Sequence, residues 1–133
     1  MNLKNKKILI TGATGGIGYH LVDKFYNLGS TIVASGTNEE KLNNLKKKFS
    51  NIYINKFKLN EHNKIENFIN EVEKKIEGLD ILVNNAGITS DNLSVRLTEE
   101  NWKKVIDINL TSSFLMCKYA IKKMLKKKYG KII

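Results

Sequence analysis

Hydrophobic positions along the chain alternate between short solid runs and helical spacing. Lys7-Ile8-Leu9-Ile10-Thr11 is an apolar run ending in a glycine-rich turn, the pattern of a buried strand. From Ile17 to Leu28, the residues Ile17, Leu21, Val22, Phe25 and Leu28 recur at helical spacing, and Gly29 can close that helix in a left-handed conformation. Thr31 to Ser35 reads as a second strand, and Asn38 can cap a helix whose Leu42, Leu45 and Phe49 share one face. Residues 52 to 59 alternate as a third strand. Ile65, Phe68, Ile69, Val72 and Ile76 mark a helix closed by Gly78, and Asp80 to Asn84 form a fourth strand. Thr98, followed by Glu99 and Glu100, opens a further helix with acid in its first turn, where the helix dipole favours it. That helix is predicted to run without a break through Trp102, Asn109, Phe114 and Met124 to a stop at Gly130. Lys131-Ile132-Ile133 opens a fifth strand.

Alternation of this kind predicts an α/β fold, a doubly wound parallel sheet with right-handed crossovers and helices on both faces. Ligands of such sheets bind at the carboxyl ends of the strands. The sequence has no repeat, no low-complexity linker and no proline.

Composition narrows the class. At 133 residues, with 41% hydrophobic and 27% charged positions, the chain fits one soluble globular domain and excludes a two-domain enzyme. The single cysteine, Cys117, cannot form an internal disulfide. No unbroken apolar stretch suits a signal peptide or a membrane span, so a cytoplasmic location is expected.

The net charge of +10 comes from 23 basic and 13 acidic residues, and Arg96 is the one arginine. No acidic residue follows Asp107, and seven lysines from Lys118 to Lys131 carry +7 of the total. Nucleic-acid sites mix Lys with Arg and stacking aromatics. That mixture is missing, so a solvated helix face is expected rather than a nucleic-acid surface.

The turn after the first strand is Thr11-Gly12-Ala13-Thr14-Gly15-Gly16-Ile17-Gly18. Glycine is needed where backbone approaches a pyrophosphate and where a helix packs closely on a strand. Amides at the helix N-terminus can then bind the phosphates. The spacing is Gly-x3-Gly-x-Gly, and no Gly-Lys-Ser/Thr follows to make a P-loop. A tight strand–helix turn without a ligand is the competing reading, and its position after strand one favours a cofactor.

Thr11-Gly12-x3-Gly16-x-Gly18, with Asn84-Asn85-Ala86-Gly87 after the fourth strand and Asn109 in the next helix, resembles the short-chain dehydrogenase/reductase family over essentially the whole chain. Within it, the run from Asn85-Ala86-Gly87-Ile88-Thr89 through Asp91-Asn92-Leu93 to Arg96 most resembles the bacterial β-ketoacyl-acyl-carrier-protein reductases of fatty-acid synthesis. The resemblance implies a Rossmann-like sheet of order 3-2-1-4 with a fifth strand beginning. It implies that Gly12, Ala13, Thr14, Gly15, Gly16 and Ile17 line a pyrophosphate while Gly18 lets the helix pack. Asn84, Asn85, Ala86 and Gly87 would hold the adenosine-side ribose and brace the sheet, although either Asn could instead cap a loop.

Cofactor choice rests on Ala34-Ser35-Gly36-Thr37. An NAD site places Asp or Glu at this point, and no acid stands before Glu39. Thr37 matches a position that bonds the 2′-phosphate in similar reductases. Gly15 departs from the family by standing where many NADP enzymes have Arg, and Lys58, beside Leu59 at the adenine side, replaces Asp or Asn. NADPH is expected over NADH, with Lys41 or Lys58 supplying the cation.

In the family a Tyr protonates the substrate oxygen as hydride arrives, assisted by a Lys four residues on, a Ser and an Asn. Asn109 matches the Asn as the one catalytic candidate; on an apolar helical face its amide requires partners, and a purely structural Asn is the competing reading. The Ser and the Tyr-x3-Lys pair belong beyond the fifth strand. Tyr119-x3-Lys123 satisfies the spacing in the wrong helix and is read as a chance match, and Ser112 and Ser113 come too early.

Residues 1–133 are therefore expected to be the N-terminal dinucleotide-binding part of a single-domain reductase, inactive alone. Another short-chain carbonyl, sugar or alcohol dehydrogenase, or a non-catalytic nucleotide-binding module, is the alternative. The expected partners are an acyl-carrier-protein-bound substrate, met by the basic end near Lys126 to Lys128, and further copies in a homo-tetramer whose long helices pair. No metal, membrane or nucleic-acid partner is expected.

Overall fold

The computed structural model describes residues 2–133. Its strands β1 (Lys7–Ile10), β2 (Thr31–Gly36), β3 (Tyr53–Lys56), β4 (Ile81–Val83) and β5 (Lys131–Ile132) form one parallel sheet of order β3-β2-β1-β4-β5. Ile8 stands opposite Ile32 and Ile81, and Ile10 opposite Ala34 and Val83. The predicted order holds, and the fifth strand completes the far side of β4.

Both faces of the sheet are covered, as near-continuous apolar strands require. Leu9, Val33 and Leu82 point to one face and pack with α3 (Ile65–Ile76) and with Met116, Ala120 and Met124 of α5 (Ser112–Lys127). Ile8, Ile10, Ile32, Ala34, Ile81 and Val83 point to the other. They meet Val22 of α1 (Gly16–Asn27), Leu45 of α2 (Glu39–Lys48) and Phe49. The period-two split of each strand thus sorts the side chains into two cores, and each fully buried Leu or Ile contributes about 1.5–3 kcal/mol.

Helix ends follow the predicted chemistry at three points. Asn38 Oδ1 accepts from the N–H of Lys41 at 2.9 Å, and Thr98 Oγ1 accepts from Asn101 at 3.2 Å, opening α4 (Glu99–Ile106). Gly29, at φ +76°, closes α1.

Three boundaries differ from expectation. The third strand leaves the sheet after Lys56 instead of reaching residue 59, because Phe57 turns inward to stack on Phe68 at 4.2 Å. Glu77, at φ +56°, takes the left-handed position at the end of α3, one residue before Gly78. The predicted unbroken helix from residue 98 is α4, a π turn over Asp107–Thr111, and α5. It stops at Lys127, with Lys128 at φ +53°, rather than at Gly130. Gly130 serves a different purpose: a Cβ there would overlap the Met124 side chain.

Candidate functional site

The carboxyl ends of β1, β2, β3 and β4 open into a cleft of about 620 Å³, the size of a small-molecule or cofactor site. Its floor is the glycine turn. Gly12 has φ +61°, and a Cβ there would stand 2.8 Å from the Ala86 Cα, so this turn and the β4 loop touch backbone to backbone. At Gly18 a Cβ would lie 2.8 Å from both the Ala13 Cα and the Asn85 Nδ2. Glycine is thus required at Gly18 by packing of α1 on the turn.

Gly16 has the opposite surroundings. A Cβ built there meets nothing within 4 Å, and one at Gly15 meets only the Gly12 carbonyl at 3.5 Å. These positions face open cleft. Helix α1 begins beside them with no side-chain cap and no acid in its first turn, whereas α2 and α4 are both capped. First-turn amides have no partner within their own helix. An uncapped N-terminus over an open glycine cradle has the donors and the space to take an anion such as a dinucleotide pyrophosphate.

The β4 loop is locked to this turn. The Thr11 hydroxyl donates to the Val83 carbonyl at 3.2 Å and accepts from the N–H groups of Asn85 and Ala86 at 3.1 and 3.0 Å. Asn85 Nδ2 donates in return to the carbonyls of Thr11 and Gly12 at 3.0 and 3.1 Å.

Most of the predicted site residues come together here. Gly12, Thr14, Gly15, Gly16, Ile17 and Gly18 line the cleft on one side, with Thr37, Lys58 and Leu59 along the β2–β3 side and Asn85, Ala86 and Gly87 at the β4 side. Three stand outside the lining: Ala13, Asn84 and Asn109. Ala13 is fully buried, its N–H held by the Ser35 carbonyl at 2.9 Å. Asn84 points away, with its N–H on the Ile133 carbonyl at 2.8 Å and its Nδ2 on Cys117 Sγ at 3.2 Å. Asn109 is exposed rather than buried, because the apolar face it shares with Trp102, Leu110 and Phe114 is itself exposed. Its amide is nonetheless paired at both atoms, Oδ1 accepting from the Ile88 N–H at 2.9 Å and Nδ2 donating to the Ile88 carbonyl at 2.8 Å.

The chance Tyr-x3-Lys match lies elsewhere. Tyr119 packs against the α3–α5 core, and Lys123 pairs with Glu73 at 2.8 Å. Thr11, Ile88 and Ile108 also line the cleft, although the sequence pattern assigns none of them a role in the site. Thr11 alone left a signal, as a polar residue at a buried strand end; the other two are apolar residues indistinguishable from core.

The carboxylates near the β2–β3 side are paired with neighbouring lysines. Glu39, the first acid after β2, is drawn across to Lys56 at 2.9 Å. A hydrogen bond from Lys64 holds the Glu61 carboxyl below its usual range, with Lys58 adding to the same effect. Among the described residues no cluster of three His, Cys, Asp or Glu could hold a metal ion, and no helix is long and apolar enough to cross a membrane.

Residues 6–133 match the family model described as short chain dehydrogenase. The chain is 46% identical over 134 residues to a 3-oxoacyl-(acyl-carrier-protein) reductase FabG of Rickettsia conorii, covering 100% of this chain and 54% of that protein. The namesake protein of Aquifex aeolicus is 35% identical over 138 residues, covering 100% of this chain and 56% of its own. Nodulation protein G of a Rhizobium species is 34% identical over 132 residues, covering 98% and 54%. The chain spans about half the length of these curated relatives. With the glycine cradle, the locked Asn-Asn-Ala-Gly loop and this match in agreement, the chain belongs to the short-chain dehydrogenase family.

Proposed function

We propose that residues 1–133 form the cofactor-binding part of a single-domain, NADPH-dependent reductase that converts a β-ketoacyl thioester on acyl carrier protein to its β-hydroxyacyl form. The uncapped α1 N-terminus over the open Gly15-Gly16 cradle carries the reading. The names of the relatives support the substrate class.

NADPH, when bound, supplies the hydride. The chain's own residues bind and orient it: the first-turn amides of α1 take the pyrophosphate, and Gly12 and Gly18 hold the turn that presents them. Thr37 and Lys58 face the 2′-phosphate at the end of a strand whose cleft lining carries no carboxylate. Asn85, Ala86 and Gly87 brace the β4 side, and Asn109 fixes Ile88 at the end where the reacting carbonyl belongs.

The same reading assigns the basic end of α5, Lys126 to Lys128, to the acidic carrier protein, and places the protein in the cytoplasm. It also assigns the apolar stripe of Trp102, Leu110, Phe114, Ile121 and Leu125, all exposed on α4, the π turn and α5, to contacts between copies in a homo-tetramer.

The test is NADPH oxidation in the presence of acetoacetyl-acyl carrier protein, run on residues 1–133 and on a form extended through a Ser and a Tyr-x3-Lys. The proposal expects turnover by the extended form alone. Turnover by residues 1–133, or an extended form that reduces sugars or alcohols and leaves the thioester untouched, overturns it.

A further inference from the structure

The π turn that carries Asn109 is held by side chains at three consecutive carbonyls. The N–H of Ser112 reaches back five residues to the Asp107 carbonyl, which defines the widened turn. The same carbonyl receives His62 Nε2 at 3.1 Å. The Ile108 carbonyl accepts the Ser112 hydroxyl, and the Asn109 carbonyl accepts the Ser113 hydroxyl at 2.8 Å. A widened turn strains the regular ladder and occurs mostly as single turns at functional positions. Hydroxyls bonding back by four residues bend a helix in the same way.

His62 differs from the two serines in coming from outside the helix. It sits in the short 3-10 turn His62–Lys64 that leads into α3, forty-five residues away in sequence from Asp107. The segment just before it, Phe57 to Asn60, lines the cleft, as does Ile108 within the π turn. Because its partner is a carbonyl, Nε2 must carry a proton and donate.

We infer that His62 is a positioning residue of the cleft. By donating to the Asp107 carbonyl it sets the register of the π turn, which aims the Asn109 amide at both polar groups of the Ile88 backbone. Ile88 and Ile108, the apolar residues that the clasp brings to one wall, then take their place in the cleft. Without the bond the turn can relax by one residue toward regular helix, which rotates Asn109 away from Ile88. The effect on cofactor affinity rests on the cofactor reading above; the effect on the clasp does not.

The experiment compares His62→Gln, whose amide nitrogen can stand near the Nε2 position, with His62→Asn, whose shorter side chain cannot. Hydrogen exchange at the Ile88 amide reads the clasp directly, NADPH titration reads the wall, and thermal unfolding reports the fold. The expected result is faster Ile88 exchange in His62→Asn, by about three- to ten-fold for one lost hydrogen bond. NADPH affinity should fall by a similar factor in the same variant, and His62→Gln should restore both. Wild-type exchange in His62→Asn, or acceleration spread evenly along the chain in both variants, overturns the inference. Faster Ile88 exchange with unchanged NADPH affinity overturns its second half. A wild-type protein that binds neither NADPH nor NADH sinks the cofactor reading, and Ile88 exchange still decides the role of His62.

Discussion

Thr11 and Asn85 grip each other's backbone. The hydroxyl of Thr11 accepts from the Asn85 N–H at 3.1 Å, and the Asn85 amide donates to the Thr11 carbonyl at 3.0 Å. One residue follows β1 and the other follows β4, so the pair joins the two loops that flank the cleft. Thr11→Val keeps the shape and removes the hydroxyl, leaving the amides of Asn85 and Ala86 without their acceptor. The expected loss is about 1–3 kcal/mol in urea unfolding, together with weaker cofactor binding. A variant within about 0.5 kcal/mol of wild type would show that water replaces the hydroxyl at no cost.

Gly12 and Gly16 are predicted to separate stability from binding. Gly12→Ala combines φ +61° with a Cβ 2.8 Å from the Ala86 Cα, so it should cost about 1–3 kcal/mol or more. Gly16→Ala meets no protein atom within 4 Å. It should unfold at or slightly above the wild-type midpoint, since Ala is the better helix former by about 1 kcal/mol. Its methyl group stands in the cradle, so NADPH affinity should drop by about ten-fold or more. Equal affinity in Gly16→Ala would place the pyrophosphate elsewhere.

Phe114 is 63% exposed, and Leu110 and Leu125 are 62% and 69% exposed along the same helical stretch. Isolated apolar residues on a surface are ordinary, but a contiguous stripe marks an interaction site. Phe114→Glu should shift the protein from assembled to monomeric in sedimentation, with unfolding of the monomer changed by less than about 0.5 kcal/mol. A wild-type protein that sediments as a monomer at all concentrations refutes the assignment.

Asp80 ties the opposite rim of the sheet. Burial opposes ionisation, but a hydrogen bond from Lys127 at 2.6 Å and another from the Lys7 N–H at 2.9 Å outweigh it and lower its pKa. A folded value below the unfolded one stabilises the fold above the usual Asp pKa of about 3.9, and that contribution fades as pH falls through the lowered value. Asp80→Asn should therefore lower the melting temperature at pH 7 and flatten the acid limb of its pH profile. Parallel wild-type and variant curves down to the acid limit would show that the pair adds nothing.

Where local chemistry and tertiary packing ask for the same thing, the sequence already reads as structure. The strands, their order and the caps at Asn38 and Thr98 are of this kind, because apolar runs and capping side chains act within a few residues. The glycine cradle was equally legible, although packing divides its members: Gly12 and Gly18 answer to contact with the β4 loop and Gly16 to open space. The π turn was not legible, because the apolar spacing through Asn109 suits an ordinary helix and the donors that support the wider turn include His62 from a distant segment. The direction of the Asn84 side chain is hidden in the sequence for a related reason, while its N–H braces the sheet through the Ile133 carbonyl. Turn chemistry places an Asn at the strand end, but contact with Cys117 decides which way its side chain faces. Gly130 looked like a helix stop, and its cause is the Met124 side chain lying against it.

The proposed function has the cleft select NADPH through Thr37 and Lys58, just beyond the ends of β2 and β3. Parallel equilibrium titrations of the protein with NADPH and NADH, repeated on Lys58→Ala, test it most directly. NADPH is expected to bind more tightly than NADH, with the preference reduced by about ten-fold in the variant through loss of a charge-assisted contact. Binding of NADH as tight as or tighter than NADPH, or no binding of either, would contradict it.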